Sequence, residues 1–186
     1  MAKITQEPRP ALYPVPAVMV SCVGRDGKPN IITIAWTGVV CSTPPMVSIA
    51  VRHGRHSFGL IRDTGDFVIN IPKQDDVKAA DLCGTLSGRD VDKFKEVGLT
   101  AIPADKVKSP LIKECPVNLE CVVRHSLFLG SHQLFVGEVV ALHVDEEHID
   151  KQGRWDVGSL RPMAYFSGEY WTLGKPVGRQ GFARKG

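Results

Sequence analysis

The sequence predicts a mainly β protein, an antiparallel β-barrel with short helical insertions. Apolar segments rich in β-branched residues recur along the chain between glycine, proline, asparagine and aspartate clusters, which is typical of strands. The segments with helical start and stop signals are short and lie between these strands. A doubly wound α/β fold is disfavoured because neither G-x-G-x-x-G nor G-x-x-x-x-G-K-[ST] occurs.

Composition favours one domain. A chain of 186 residues with 43% hydrophobic and 23% charged residues is long enough for one sizeable core, which we place at 1–174, followed by a basic tail at 175–186. The net charge of +3 is small and the basic groups are interleaved with acids, so no nucleic-acid partner is expected. No apolar run approaches the roughly 20 residues of a spanning helix, and the N-terminus lacks the apolar core of a signal peptide. We therefore expect no membrane association and a cytoplasmic location.

The first third of the chain predicts a hairpin and a third strand. The strand at 17–23 is followed by a turn centred on Asp26-Gly27 and by a second arm at 31–40. The motif Ser-Thr-Pro-Pro at 42–45 interrupts pairing because proline cannot donate to the ladder, and another strand starts at Met46. The second arm alternates between an apolar face and a small, polar face, formed respectively by Ile32, Ile34 and Trp36 and by Thr33, Ala35 and Thr37.

The rest of the chain alternates short helices with strands. One helix begins at His56 or Ser57 and ends at Gly65, and a strand follows at 66–72. A second helix is capped by Asp75 or Asp76 and ends at Gly84, and 88–98 has the same signals on a smaller scale. Two long strands at 117–129 and 133–145 flank a Gly-Ser-His turn and form a second hairpin, and the aromatic segment at 162–174 follows a polar loop.

The segment Arg52 to Ser57, "RHGRHS", is the first candidate for chemistry. Arginine side chains beside a helix N-terminus suit a phosphate group, and a solvated basic turn is the alternative. His53 and His56 form H-x-x-H, but no cysteine or acidic ligand lies at a zinc-like interval, so no metal site is predicted. The histidines and carboxylates show no hydrolytic constellation, since G-x-S-x-G is absent.

Aromatic residues and cysteines offer less specific signals. The aromatic residues that could stack on a planar ligand are more often core residues when taken singly: Trp36, Tyr165, Phe166, Tyr170 and Trp171. The five cysteines include no C-x-x-C pair and lie mostly in apolar segments, which predicts reduced core residues.

Five segments in order resemble the flavin reductase-like FMN-binding split-barrel family, which includes flavoredoxin. They are "PVPAVMVSCVGRDGKPNIITIAWTGVVCSTPPMVSIAV", "RHSFGLI", "GDFVINIP", "SGRDVDKF" and "RPMAYFSGEYWTLG", and together they extend from Val15 to about Leu173. No single segment is specific, but their order is that of the family.

The resemblance implies a split barrel of about six strands, a homodimer, and one FMN per subunit near the dimer interface, with FAD not excluded. The family often has threonine at the position of Ser57, and serine keeps the hydroxyl. Carried over position by position, the cofactor-binding candidates are Asn30, Thr33, Ala35, Trp36, Thr37, Arg52, Ser57, Lys93, His132 and Phe166.

The resemblance also implies a redox function. The expected activity is electron transfer from NAD(P)H or a protein donor through bound FMN to a flavin, metal or protein acceptor. The flavin carries the chemistry, so no catalytic protein group is predicted; His132 as a proton donor is one hypothesis, and a surface histidine is the other. The alternatives are a flavoredoxin-type electron carrier without enzymatic turnover and, in a different class, a β-barrel binding module without redox function.

Overall fold

The computed structural model describes residues 1–184 and confirms a mainly β fold. Its strands are β1 (Val15–Pro16), β2 (Val18–Val23), β3 (Pro29–Ile34), β4 (Thr37–Ser42), β5 (Pro45–Arg52), β6 (Asp66–Ile71), β7 (Ala101–Ile102), β8 (Leu111–Ile112), β9 (Val117–Leu129), β10 (His132–Val144), β11 (Met163–Phe166) and β12 (Glu169–Thr172). The α-helices are α1 (His56–Thr64), α2 (Val77–Thr85), α3 (Lys93–Val97) and α4 (Val157–Leu160).

Seven strands form one antiparallel sheet in the order β3-β2-β6-β9-β10-β5-β4. Its two end strands, β3 and β4, are consecutive in the chain, so the link at Ala35 and Trp36 joins the two ends of the sheet. The Trp36 carbonyl accepts a hydrogen bond from the Ala50 amide at 2.9 Å, which ties this link to β5. The sheet therefore curls into a barrel with a seam at Ala35 and Trp36.

The predicted single strand at 31–40 is wrong, because the chain forms two strands there. β3 pairs with β2, whereas β4 pairs with β5 on the other side of the seam. The bend at Ala35 and Trp36 moves the chain from one partner to the other. Alternation along 31–40 cannot reveal such a change of partner, because both strands have a period of two.

Two hydrophobic cores share β2. Val18, Val20 and Cys22 point into the barrel, where Phe67 and Phe135 are also buried. Met19, on the opposite face of β2, packs outside the barrel with residues of α2, α3 and β11 that include Ala80, Cys83, Phe94 and Met163. Because both faces are covered, all six residues of β2 are buried, including Ser21, whose hydroxyl donates to the Pro110 carbonyl.

The first helix has the predicted bounds. α1 begins at His56 and ends before Gly65, whose φ of 74° and N–H bond to the Ile61 carbonyl form a left-handed C-terminal cap. Ile61 is fully buried in the barrel core, so α1 closes one end of the barrel.

The other helices and the long hairpin follow the prediction with small shifts. α2 begins after Asp76 and ends at Thr85, one residue beyond the predicted Gly84. The predicted cap by Asp75 or Asp76 is wrong, because the Asp76 side chain accepts from the Lys73 amide and the Asp75 side chain from Arg161. Asp92 caps α3 by accepting from the Lys95 amide. β9 and β10 pair along their length around a turn at Gly130, whose φ is 55°. His132, predicted in the turn, is the first residue of β10.

A small sheet and an irregular segment complete the chain. β1, β11 and β12 form a three-stranded antiparallel sheet beside the seam. The structure assigns no helix or strand to residues 173–184, and the division into a domain at 1–174 and a tail stays a prediction. None of the helices within residues 1–184 has the length and apolar character needed to span a bilayer.

Candidate functional site

A cleft of about 430 Å³ lies at the seam of the barrel. The ends of β3 and β5 and the 35–36 link form its floor, and α2 and the hairpin of β11 and β12 form its walls. Five of the lining residues are alanine or glycine: Ala17, Ala35, Ala50, Gly84 and Gly168. Such small side chains leave the backbone accessible, so a flat ligand could approach the strand amides closely.

Close packing determines the shape of the α2 wall. A Cβ atom at Gly84 would lie 3.3 Å from the Thr33 Cβ, so glycine lets α2 approach β3. The Thr33 hydroxyl donates to the Ala80 carbonyl at 2.5 Å and is thereby oriented by the same helix. Its hydrogen is engaged, and only its lone pairs remain available to a ligand.

One end of the cleft is strongly positive. Arg52 at the end of β5 and Arg55 at the N-terminus of α1 both line it and are exposed. The arginines that form ion pairs within residues 1–184 are others, namely Arg62, Arg124, Arg154 and Arg161. In the part of the chain that the structure describes, no side chain caps the α1 N-terminus, and the first turn contains no acidic residue. Two guanidinium groups beside uncapped helix N–H groups suit an anion.

A hydrogen bond between Tyr170 and Asp81 joins the two walls of the cleft. The Tyr170 hydroxyl donates to Asp81 Oδ1 at 3.3 Å and so connects β12 to α2. Burial, together with the charge of Asp81, raises the pKa of Tyr170 to about 12, so the phenol stays protonated at neutral pH. This contact fixes the aromatic hairpin over the cleft.

Trp36 and His132 form an aromatic contact beside the floor of the cleft. Their ring centroids lie 4.6 Å apart at an interplanar angle of 39°, and Trp36 is 40% exposed. Burial lowers the pKa of His132, and the charges of Arg52 and His53 lower it further. The neutral imidazole is therefore favoured near pH 7, which does not support His132 as a charged proton donor.

The cleft brings together half of the predicted cofactor-binding residues, namely Thr33, Ala35, Trp36, Arg52 and His132. Thr37 lies on the other side of Trp36, where its hydroxyl donates to the Ser48 carbonyl at 2.7 Å. Phe166 is 46% exposed and contacts the Tyr13 ring at a centroid distance of 5.3 Å, outside the residues that line the cleft.

Asn30 and Ser57 are buried behind the positive end. Asn30 Nδ2 donates to Ser57 Oγ at 2.7 Å and links β3 to α1. Gly88 packs against Asn30 so closely that a Cβ atom there would collide with the Asn30 side chain and with His56. The phosphate contact predicted for Ser57 stays a prediction, since this pair does not line the cleft.

Lys93 is also buried rather than open to the cleft. Its Nζ donates to the Ile31 carbonyl at 2.8 Å and to the Cys83 carbonyl at 2.7 Å, and the residue is only 4% exposed. Burial lowers its pKa. Two of its three donors are thus used to connect β3 and α2, and its predicted contact with phosphate stays a prediction.

The cysteines are free, and four are buried as predicted: Cys22, Cys83, Cys115 and Cys121. Burial raises the pKa of all four thiols, to about 12 for Cys22 and Cys121. Thiols of this kind are poor nucleophiles. Cys41 differs from the prediction, because it lies half-buried on β4, at the edge of the sheet.

Residues 11–174 match the family model described as a flavin reductase like domain. The chain belongs to the flavin reductase-like family. A relative from Archaeoglobus fulgidus is 37% identical over 161 residues, which are 87% of this chain and 89% of the relative.

Two solved structures show the same fold. Flavoredoxin of Desulfovibrio vulgaris (Miyazaki F) is 32% identical with a TM-score of 0.92, and the match covers 98% of this chain and 99% of that chain. Flavoredoxin from Methanosarcina acetivorans is 30% identical with a TM-score of 0.90, covering 98% and 97%. The split-barrel fold is therefore confirmed, and membership of the flavin reductase-like family indicates a flavin cofactor and a flavin-linked redox role.

The seam cleft of this flavin reductase-like protein also contains residues that sequence reasoning did not select: Arg55, Asp81, Gly84, Thr85 and Tyr170. Arg55 belongs to "RHGRHS", whose two arginines were the available signal. Tyr170 stood among the aromatic residues considered for stacking. No sequence pattern distinguishes Asp81, because exposed acidic residues are common on short helices. Only the fold shows that this one lines a cleft.

Proposed function

We propose that the protein binds FMN in the seam cleft and acts as an FMN-dependent oxidoreductase that takes electrons from NAD(P)H. The observation that carries the proposal is the combination of a floor of small residues with two arginines at one end, Arg52 and Arg55, that form no ion pair within residues 1–184. A flat, polar ring with a phosphate at the end of its side chain matches that distribution.

The fit to FMN rests on the donor set. Arg52, Arg55 and the N-terminal amides of α1 would hold the phosphate through charge-assisted hydrogen bonds. Ala35 and the neighbouring strand backbone would lie against the ring, and Trp36 with His132 would exclude water from one side. When bound, FMN supplies hydride and single-electron chemistry.

The protein side chains then bind and orient rather than react. The buried thiols are protonated, and the Tyr170 phenol stays protonated and bonded to Asp81. A neutral His132 imidazole can donate only one proton, from one ring nitrogen. Water that reaches the bound flavin could supply that proton instead, so we expect His132 to be dispensable. We therefore assign no catalytic role to a protein acid or base.

A flavoredoxin-type electron carrier is the second candidate. The two flavoredoxin structures match nearly the whole chain, which favours this class as much as the family description favours a reductase. The two candidates share the cofactor site and differ in whether the protein turns over a pyridine nucleotide.

Cofactor binding is tested by titrating the purified, flavin-free chain with FMN and with riboflavin. Arg55→Gln should weaken FMN binding by about 1.5–3 kcal/mol, the contribution of one charge-assisted hydrogen bond. It should leave riboflavin binding nearly unchanged, because riboflavin has no phosphate. Arg62→Gln, at the far end of α1, is the matched control and should change neither affinity. Equal losses for FMN and riboflavin in Arg55→Gln would contradict the assigned phosphate end.

The reductase activity is tested by following NADH and NADPH oxidation by the FMN-loaded protein, with and without added free flavin. Steady turnover supports the reductase. A protein that keeps its FMN and is reduced once, without turnover, fits the electron carrier instead. Absence of any flavin band after incubation with FMN would rule out both.

A further inference from the structure

A compact group of metal-ligand side chains lies at the end of β10, outside the seam cleft. Asp145 follows this strand, and a single 3₁₀ turn then carries Glu147 and His148. One oxygen of each carboxylate and one ring nitrogen of His148 lie within 4.8 Å of one another. The sequence predicts no metal site, and H-x-x-H at His53 and His56 is not part of this group.

His148 is the unusual member, because it is buried. The residue is 5% exposed, and its Nε2 has no hydrogen-bond partner within the described residues. A buried polar atom without a partner is costly, so such an atom calls for an explanation. The two carboxylates are exposed and accept no hydrogen bond from the backbone of residues 1–184, unlike a capping aspartate.

The hydrogen bonds of Ser159 indicate which nitrogen of His148 carries the proton. Ser159 Oγ lies 2.7 Å from His148 Nδ1 and donates its one hydrogen to the Asp156 carbonyl at 3.0 Å. With the hydroxyl hydrogen directed at Asp156, the Ser159 oxygen accepts from Nδ1, and Nδ1 then carries the ring proton. In this tautomer Nε2 has a lone pair.

That lone pair faces a second acceptor. His148 Nε2 lies 3.4 Å from Glu147 Oε1, so a nitrogen lone pair and a carboxylate oxygen are held side by side. Two such groups attract each other only when a proton or a metal cation lies between them, and with a proton the contact is a His148–Glu147 ion pair. The orientation of the ring by Ser159 is the arrangement that outer-shell partners give to metal-bound histidines.

A second group with the same residue types lacks this property. Asp105, Glu120 and His143 also converge, but the Glu120 carboxylate already accepts from the amides of 105, 106 and 107 and from the His143 ring. Its lone pairs are engaged in holding a loop. Comparison of the two groups therefore singles out the turn at 145–148.

We propose that Asp145, Glu147 and His148 bind a divalent cation of the Zn²⁺ class. One imidazole nitrogen and two carboxylate oxygens are ligands that Zn²⁺ accepts, with water at the fourth position. The exposed Asp145 and Glu147 side chains can close from their present spacing to ligand distances of about 2.0–2.2 Å. The ion would join the end of β10 to α4 through His148 and Ser159.

Zinc titration of the EDTA-treated full chain, by calorimetry and by thermal unfolding with and without Zn²⁺, tests the proposal. The wild type should bind one equivalent and unfold at a higher temperature with zinc. Glu147→Gln and Asp145→Asn change exposed side chains, so they should fold normally and bind at least about tenfold more weakly. His148→Gln should abolish binding, and Ser159→Ala should weaken it by about 10- to 100-fold.

Two controls separate this site from others on the chain. Glu146→Gln, an exposed carboxylate of the same turn outside the group, should leave zinc affinity unchanged. The double variant Asp105→Asn, His143→Gln should also bind zinc as the wild type does. Failure of the wild type to bind zinc would overturn the proposal, and so would zinc binding that survives Glu147→Gln but not the double variant.

Discussion

Lys93 is buried, and its side chain donates hydrogen bonds to backbone carbonyls. Within residues 1–184 it has no carboxylate partner, and its Nζ donates to the carbonyls of Ile31 and Cys83. Cys83 lies in the last turn of α2, where carbonyls have no partner inside the helix and a nearby cation is favourable. The side chain therefore caps α2 and fastens it to β3, which forms the floor of the seam cleft.

Replacement of Lys93 by methionine should lower the free energy of unfolding by about 1–3 kcal/mol, because buried carbonyl groups lose their donor. Urea unfolding measures this, with Lys95→Met on the exposed face of α3 as the control. A variant as stable as the wild type would show that the two bonds contribute nothing. The Lys93→Met variant also tests the predicted contact between Lys93 and phosphate. A larger loss of affinity for FMN than for riboflavin would support that contact, and equal losses would contradict it.

At the scale of elements, one carboxylate organises the loop before β8. Glu120 on β9 is fully buried and accepts from the amides of Asp105, Lys106 and Val107. Burial alone would raise the pKa of Glu120, but these bonds and the contact with His143 outweigh it and lower the pKa. The loop thus depends on a charge inside the fold.

This charge makes part of the stability dependent on pH. Because the folded-state pKa of Glu120 lies below its ordinary value of 4.5, the stabilisation is complete above pH 4.5 and is lost as the pH falls through the folded value. Glu120→Gln should lower the free energy of unfolding at pH 7 by about 1.5–3 kcal/mol and reduce its change on acidification. Urea unfolding at pH 7 and at pH 3.5 to 4, with exposed Glu169→Gln as the control, measures both. Parallel pH profiles for wild type and Glu120→Gln would contradict this account.

At the scale of the whole molecule, closure of the barrel creates the site. The link at Ala35 and Trp36 brings the ends of β3 and β5 together, and α2 and the β11–β12 hairpin then enclose the space between them. Beside this seam, β4 is an edge strand with an apolar outer surface, where Val39 is 81% exposed and Val40 is 52% exposed. We expect an exposed apolar edge of this kind to be an interaction surface.

We predict that a second copy of the chain covers this edge and that the protein is a homodimer. Sedimentation velocity should show a dimer, and Val39→Lys should shift it towards monomer by placing a charge in the interface. Val177→Lys, a fully exposed position in the irregular C-terminal segment, is the control. A stable monomeric wild type that retains its flavin would contradict the prediction.

Local patterns in the sequence determined most of the strands, the bounds of α1 and the family. Gly65 ends α1 because its left-handed backbone is a property of one residue, and the β2–β3 hairpin follows from one Asp-Gly turn. Tertiary structure alone decided that β4 pairs with β5, that Lys93 is buried against two carbonyls, and that Arg55 and Asp81 line the cleft. Each of these depends on groups far apart in the chain, and periodicity reports which face a residue occupies but not which distant element covers that face.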